Sequence, residues 1–211
     1  MSMEFQRIYE GLEETFGKAK GELVYKDEYT LLVAVILSAQ CTDKRVNKVT
    51  PLLFEKYPTV YDMASANIVE VEEMIHSCGF YHNKAKNIIK ACQDIVGKYD
   101  GKVPDNLEDL ISLNGVGRKT ANVVLATAYN KPAIAVDTHV FRVSNRLGLS
   151  TATNPEQCEK ELMNNIPESQ WSKSHLMLVL HGRYICTARN PKCYDCNLKN
   201  YCEAYNENNV K

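Results

Sequence analysis

The chain has 211 residues, 45% of them hydrophobic and 24% charged, with a formal net charge of -1 at pH 7. This is an ordinary globular composition, enough for one domain or two modest ones around a buried core. Its longest purely apolar run, Leu31 to Leu37, is far below the ~20 residues that span a bilayer, and near-zero net charge taken alone argues against a polyanionic partner.

The opening stretch, MSMEFQRIYEGLEETF, is acidic and amphipathic and lacks the basic and apolar regions of a signal peptide, so a cytoplasmic location and no membrane association are expected. YTLLVAVILSAQ fits strand or helix by composition, but its length and alanines favour a buried helix. In KNIIKACQDIVGKY the apolar positions Ile88, Ile89, Cys92, Ile95, Val96 and Tyr99 fall on one helical stripe. VPDNLEDLISLNG reads as a helix opening near Pro104 and stopping at Gly115. No paired β-branched runs with hairpin turns occur, and the expected class is all-α.

LNGVGRKTANVV brings two helices together through Gly115-Val116-Gly117. A Walker loop needs four residues between its first glycine and the Gly-Lys pair, and a dinucleotide fingerprint needs glycine where Thr120 stands. What remains is a tight hairpin. Either it merely connects two helices, or its backbone N–H groups, beside a helix N-terminus at Arg118, seat one phosphate without regard to base sequence. Lys119 stands where the helix macrodipole repels cations. An amine attacks only when neutral, and that terminus, adjacent Arg118 and partial burial would together favour the free base.

YNKPAIAVD, Tyr129 to Asp137, is the best internal break. Asp137 then precedes a helix, where a carboxylate caps and is held rigid. TNPEQCEKELMNNI offers Asn154 as N-cap, Pro155 at the first helical position, Gln157 as the return partner of a capping box, and Cys158, Leu162 and Ile166 as the inward face. Charge is unevenly placed. From Arg118 to Arg146 five basic residues (Arg118, Lys119, Lys131, Arg142 and Arg146) face Asp137 alone, and Lys173 to Cys202 repeats that balance. Such segments are either solvated helix faces or a locally basic surface on a neutral protein.

Four of the eight cysteines end the chain as Cys186-x6-Cys193-x2-Cys196-x5-Cys202. In a cytosolic protein so dense a thiolate cluster reads as a metal site. Structural zinc usually takes two close cysteine pairs, and here there is one. The spacing favours a [4Fe-4S] cluster, one thiolate per iron, with zinc as the alternative.

LNGVGRKTANVVLATAYNKPAIAVDTHVFRVSNRLGL together with LHGRYICTARNPKCYDCNLKNYC closely resembles the endonuclease III family of the helix-hairpin-helix/Gly-Pro-Asp DNA glycosylase superfamily, from about LLVAVILSAQCTD through the last cysteine. The resemblance implies an all-α fold of two helical domains flanking a DNA-binding cleft. One is residues 22–131, with the hairpin at about 105–130, and the other joins 1–21 to 132–211. It implies base excision repair: removal of oxidised pyrimidines from duplex DNA, then cleavage 3′ to the abasic site by β-elimination. Lys119 would be the Schiff-base nucleophile and Asp137 the carboxylate that aids it and stabilises the sugar cation. Cys186, Cys193, Cys196 and Cys202 would bind the cluster.

DNA contacts would come from Gln40, Phe80, Gly115, Val116, Gly117, Arg118, His139, Arg189 and Lys192, on a protein acting as a monomer. Gln40 has helix capping as its ordinary alternative, Phe80 a place in the core, and His139 a satisfied position at a helix start. Asn114, where a proline is common, is expected to loosen the turn, and Phe80, where leucine is common, bears on lesion and opposite-base preference. Adenine mismatch glycosylases usually carry serine at the Lys119 position and thymine or uracil mismatch glycosylases tyrosine, so lysine favours the lyase. A noncatalytic iron–sulfur DNA-binding protein is the rival from another class.

Overall fold

The computed structural model describes residues 3–209; Met1 and Ser2, at the start of the amphipathic opening, and Val210 and Lys211 lie outside them. Among the described residues there are α-helices and short 3-10 turns and no strands. The α-helices in chain order are α1 (Met3–Phe16), α2 (Glu28–Ser38), α3 (Asp43–Lys56), α4 (Val60–Ala64), α5 (Ile68–Ile75), α6 (Tyr81–Tyr99), α7 (Leu107–Ser112), α8 (Arg118–Ala128), α9 (Thr138–Leu147), α10 (Pro155–Asn165), α11 (Trp171–Tyr184) and α12 (Glu203–Asn209). None of them is long and apolar enough to cross a membrane. The chain forms two compact units, Glu22–Asn130 and a second that joins Met1–Gly21 to Lys131–Lys211.

The first unit is built around α2. Every residue from Tyr29 to Leu37 is buried, and α3, α6 and α8 pack against it. This explains why the segment shows no amphipathic stripe: it has no solvent face. Its helical state is set at its start, where the Asp27 carboxylate accepts from the Thr30 amide at 2.8 Å and the Thr30 hydroxyl accepts from the Asp27 amide at 3.0 Å. That reciprocal cap satisfies two amides no helix can satisfy internally. Around α2, fully buried Leu53, Met63, Ile75, Ile88, Ile95 and Leu110 complete the core, each stabilising the fold by about 1.5–3 kcal/mol. Helix α7 begins later than Pro104. Asn106 is its cap, accepting from the Asp109 amide at 2.9 Å, because an Asn side chain can take that proton and Pro104 cannot.

The second unit packs α9 and α1 against α11, with Phe5, Ile8, Leu12, Val140, Val143, Leu162 and Leu178 in one core. Helix α10 starts as expected, Asn154 accepting from the Gln157 amide at 2.9 Å and Pro155 leading the first turn, and it turns Cys158, Leu162 and Ile166 inward. The capping box does not close. The Gln157 amide group donates along the helix to Glu161 instead, at 2.9 Å.

Candidate active site and cluster site

In the first unit, α7 ends at Ser112 with Leu113 as its C-cap, and the chain turns through Asn114, Gly115, Val116 and Gly117 into α8. Leu113 and Val116 are buried and anchor the turn on the core. Gly115 has φ +74, and a Cβ there would lie 2.6 Å from the Asn87 side chain, so both its backbone and its neighbour exclude a larger residue. Gly117, the N-cap of α8, has ordinary φ and open space around it, and as a glycine it brings no capping side chain. The Val116 side chain is 5% exposed and its amide donates to the Leu113 carbonyl at 3.2 Å, so it helps build the turn.

Lys119 is the second residue of α8, and both it and Arg118 are exposed. The partial burial expected of Lys119 is absent. What persists is the placement of two cations on the positive end of an eleven-residue helix. Asn114 does not loosen the turn. Its amide donates to Asp94 on α6 at 2.8 Å and replaces the stiffness of a proline with a tether.

Gln40 and Phe80 lie in the same unit at two other turns. Gln40 follows Ala39, the C-cap of α2, and Phe80 precedes α6. Both are exposed, and both take left-handed backbone, φ +52 and +47. At 65% exposure Phe80 is not core, and such backbone in a side-chain-bearing residue costs about 1–3 kcal/mol, a cost usually found at functional sites. Elsewhere in this unit a cavity of about 770 Å³ is lined by Asp27, Glu28, Asp105 and Asp109 and holds none of the expected residues; its acidity disfavours phosphate.

In the second unit, Asp137 caps α9. Its Oδ1 accepts from the amides of His139 and Val140, both at 2.8 Å, which holds the half-buried carboxylate rigid. His139 is half-buried with Nδ1 3.3 Å from Arg142 Nη2.

Charge counting overstated the basic surface here. Arg142 donates through Nε to the Cys186 carbonyl at 3.1 Å and through Nη2 to the Gly182 carbonyl at 2.8 Å. Arg146 donates to the Thr187 carbonyl at 2.8 Å and to the Ala188 carbonyl at 3.3 Å, and its Nη1 lies 3.4 Å from Cys186 Sγ. Lys173 pairs with Glu13. These three serve the fold, and the role of Arg142 and Arg146 is visible in sequence only as two arginines one turn apart on the helix that Asp137 opens. Arg189 and Lys192 remain exposed in the cysteine loop.

Cys186, Cys193, Cys196 and Cys202 are all half-buried and line one cavity with Leu147, His181, Ile185 and Pro191. Burial raises the Cys196 and Cys202 thiols above their ordinary range, and the neighbouring cysteines add to the rise. Four thiols around one apolar cavity are a donor set suited to iron, whose positive charge would offset the burial penalty on Cys196 and Cys202. The four cysteines share one cavity, which matches the one thiolate per iron that a cubane takes. The residues present fit a [4Fe-4S] cluster. Around them, His181 is 1% exposed, burial pushes its imidazole down to about 4, and its Nε2 lies 3.8 Å from Cys196 Sγ.

The comparisons with known proteins agree with this geometry. A family model described as the HhH-GPD superfamily base excision DNA repair protein matches residues 33–168, and one described as the iron-sulfur binding domain of endonuclease III matches residues 186–202. Endonuclease III of Synechocystis sp. is 50% identical over 192 residues, 90% of this chain and 88% of its own. That of Bacillus subtilis is 47% identical over 190 residues, 90% and 87% of the two chains. A solved structure of a trapped endonuclease III–DNA covalent intermediate matches with a TM-score of 0.92 and 45% identity over 99% of both chains. A thermostable thymine-DNA glycosylase shares the fold, at TM-score 0.88 and 23% identity over 97% of each. The chain therefore belongs to the endonuclease III family, the DNA glycosylase and abasic-site lyase branch of the HhH-GPD base excision repair superfamily, whose members bind a [4Fe-4S] cluster.

Proposed function

We propose that Lys119 and Asp137 carry the chemistry of this chain on duplex DNA containing oxidised pyrimidines or abasic sites. The neutral Nζ of Lys119 attacks C1′ of a nucleotide turned out of the stack, and the bond from C1′ to the base breaks with its electron pair going to the leaving base. The sugar ring opens to a Schiff base on Nζ. Loss of a proton from C2′ then expels the 3′ phosphate, which cuts the strand. Asp137, pinned by two amides, sets a fixed negative charge against the sugar cation that develops as the base departs.

Gly115, Gly117 and Arg118 would seat a backbone phosphate through peptide N–H groups and charge, with Val116 supporting the turn from below. Gln40 and Phe80 would enter the gap left by the extruded nucleotide. His139, Arg189 and Lys192 would meet the phosphate backbone. Cys186, Cys193, Cys196 and Cys202 would hold one iron each, and the cluster supplies a cross-link that orders the loop bearing Arg189 and Lys192. β-Elimination moves protons and a leaving group and calls for no electron transfer. The setting of this work would be the cytoplasm, at the nucleoid.

One observation carries the reading: Lys119 is exposed at the first turn of a helix whose N-cap is a glycine with open space around it. Borohydride trapping on abasic duplex DNA tests it. Wild type is expected to form a covalent adduct and Lys119→Ala none; no adduct from intact, cluster-loaded wild type would leave only the noncatalytic binding protein.

A further inference from the structure

Lys84, in the first turns of α6, is 5% exposed. Its Nζ donates to the Leu37 carbonyl at 2.9 Å and to the Cys78 carbonyl at 2.8 Å. Leu37 lies in the last turn of α2, and Cys78 ends the 3-10 turn His76–Cys78. Within three residues of these two carbonyls the chain makes two of its left-handed turns, at Gln40 after α2 and at Phe80 before α6.

We propose that Lys84 is a positioning residue, a buried ammonium that joins the chain ends leading into the Gln40 and Phe80 turns and so sets the spacing of the two side chains offered to the DNA stack. The inference rests on the reading above, in which those side chains enter the duplex.

Three physical arguments support it. Carbonyls at the C-terminal end of a helix carry partial negative charge, so a cation there is favourable, and an ammonium has enough donors to serve both at once. Burying a lysine is costly unless it is paired, and here burial does pull the ammonium below the ordinary lysine range, with the Cys41 and Cys78 thiols opposing that shift. Two carbonyl acceptors offset that cost only while Leu37 and Cys78 stay within reach of one nitrogen, so the pairing ties their positions together. Finally, left-handed backbone at two side-chain-bearing residues persists only when the surroundings over-determine it, and Lys84 bridges both approaches.

A merely stabilising plug and a positioning residue predict different defects. Opening a stacked duplex requires Gln40 and Phe80 at the right separation; reacting with an abasic site in single-stranded DNA does not. The test is the rate of borohydride-trapped adduct formation at saturating DNA on abasic duplex and on the same abasic strand alone, with cluster absorbance and Tm recorded alongside. Lys84→Met, similar in length but without donors, is expected to lower the duplex rate at least about tenfold and leave the single-strand rate within about twofold, since small misplacements cost up to about 100-fold. The fluorescence rise of a 2-aminopurine beside the abasic site, which reports unstacking, should fall in parallel.

If Lys84→Met does not fold, Lys84→Gln, which keeps an amide donor group on a shorter stem and has no charge, is read the same way. A wild-type ratio of duplex to single-strand rates in the folded variant, or an equal loss on both, overturns the positioning role. No adduct from wild type on either DNA would instead mark failure of the lyase reading itself.

Discussion

The amide of Asn114 donates to the carboxylate of Asp94 at 2.8 Å and ties the turn before Lys119 to the middle of α6. Lys98, one turn on, pairs with the same carboxylate at 2.8 Å. The hydrogen bond from Lys98 is the largest influence and holds the Asp94 carboxyl below its ordinary range; burial opposes it, and the bond from Asn114 adds a smaller lowering. Asp94→Ala is expected to cost about 1 kcal/mol at neutral pH, the worth of a charge-assisted but partly solvated contact. The sign follows from linkage. A carboxyl with a depressed folded pKa contributes stability that is fully present above its unfolded value of about 3.9 and is lost as pH falls through the folded one. Urea unfolding of wild type and Asp94→Ala at pH 7 and near pH 3 should therefore show a gap that closes in acid; a constant gap would show that the tether is not electrostatic.

The two hairpin glycines are expected to fail differently. Gly115→Ala meets both φ +74 and the Asn87 side chain, and should lower stability by at least about 1–2 kcal/mol. Gly117→Ala enters open space with ordinary φ and should leave Tm unchanged while weakening duplex binding, because the added methyl stands where a phosphate would approach. Thermal melts and fluorescence anisotropy separate these outcomes. Unchanged affinity in Gly117→Ala would place the phosphate elsewhere.

Lys192 and Arg142 are both basic residues of the second unit, but Lys192 is exposed whereas Arg142 is half-buried and donates to two carbonyls. Lys192→Ala should reduce the slope of log K against log salt by about 0.9, the value of one released phosphate counterion, without changing Tm. Arg142→Ala, which removes donors to the Cys186 and Gly182 carbonyls, should lower stability and speed cluster loss. An unchanged salt slope in Lys192→Ala would take that residue off the interface.

Cys196→Ala should lose the visible absorbance of the cluster and much of the stability, since ligand binding and folding of the loop are coupled. Metal analysis of anaerobically prepared wild type is expected to give about four irons per chain, the content of one cubane. Stoichiometric zinc without iron would contradict the cluster assignment.

Much of this was legible because local chemistry and packing agree. Asn154-Pro155, the stripe in α6 and the Asp137 cap each show the same signal in sequence and in structure. Helix α2 was harder, as a helix buried on every side has no period to read; its start signal was Asp27 and Thr30, a capping box just upstream of the apolar run. Long-range partnerships were not legible. Nothing local distinguishes an Asn that loosens a turn from one that reaches Asp94, or shows that Arg142 and Arg146 donate to carbonyls of the cysteine loop. Lys84 was invisible for the same reason: a lysine is read as solvated until its neighbours are known.

The most direct measurement is borohydride trapping of cluster-loaded protein on an abasic duplex, followed by mass spectrometry of the adduct. The expected result is one covalent DNA adduct per chain, mapped to Lys119, absent in Lys119→Ala while duplex binding persists. An adduct on another residue, or none from wild type, would contradict the assignment of the nucleophile.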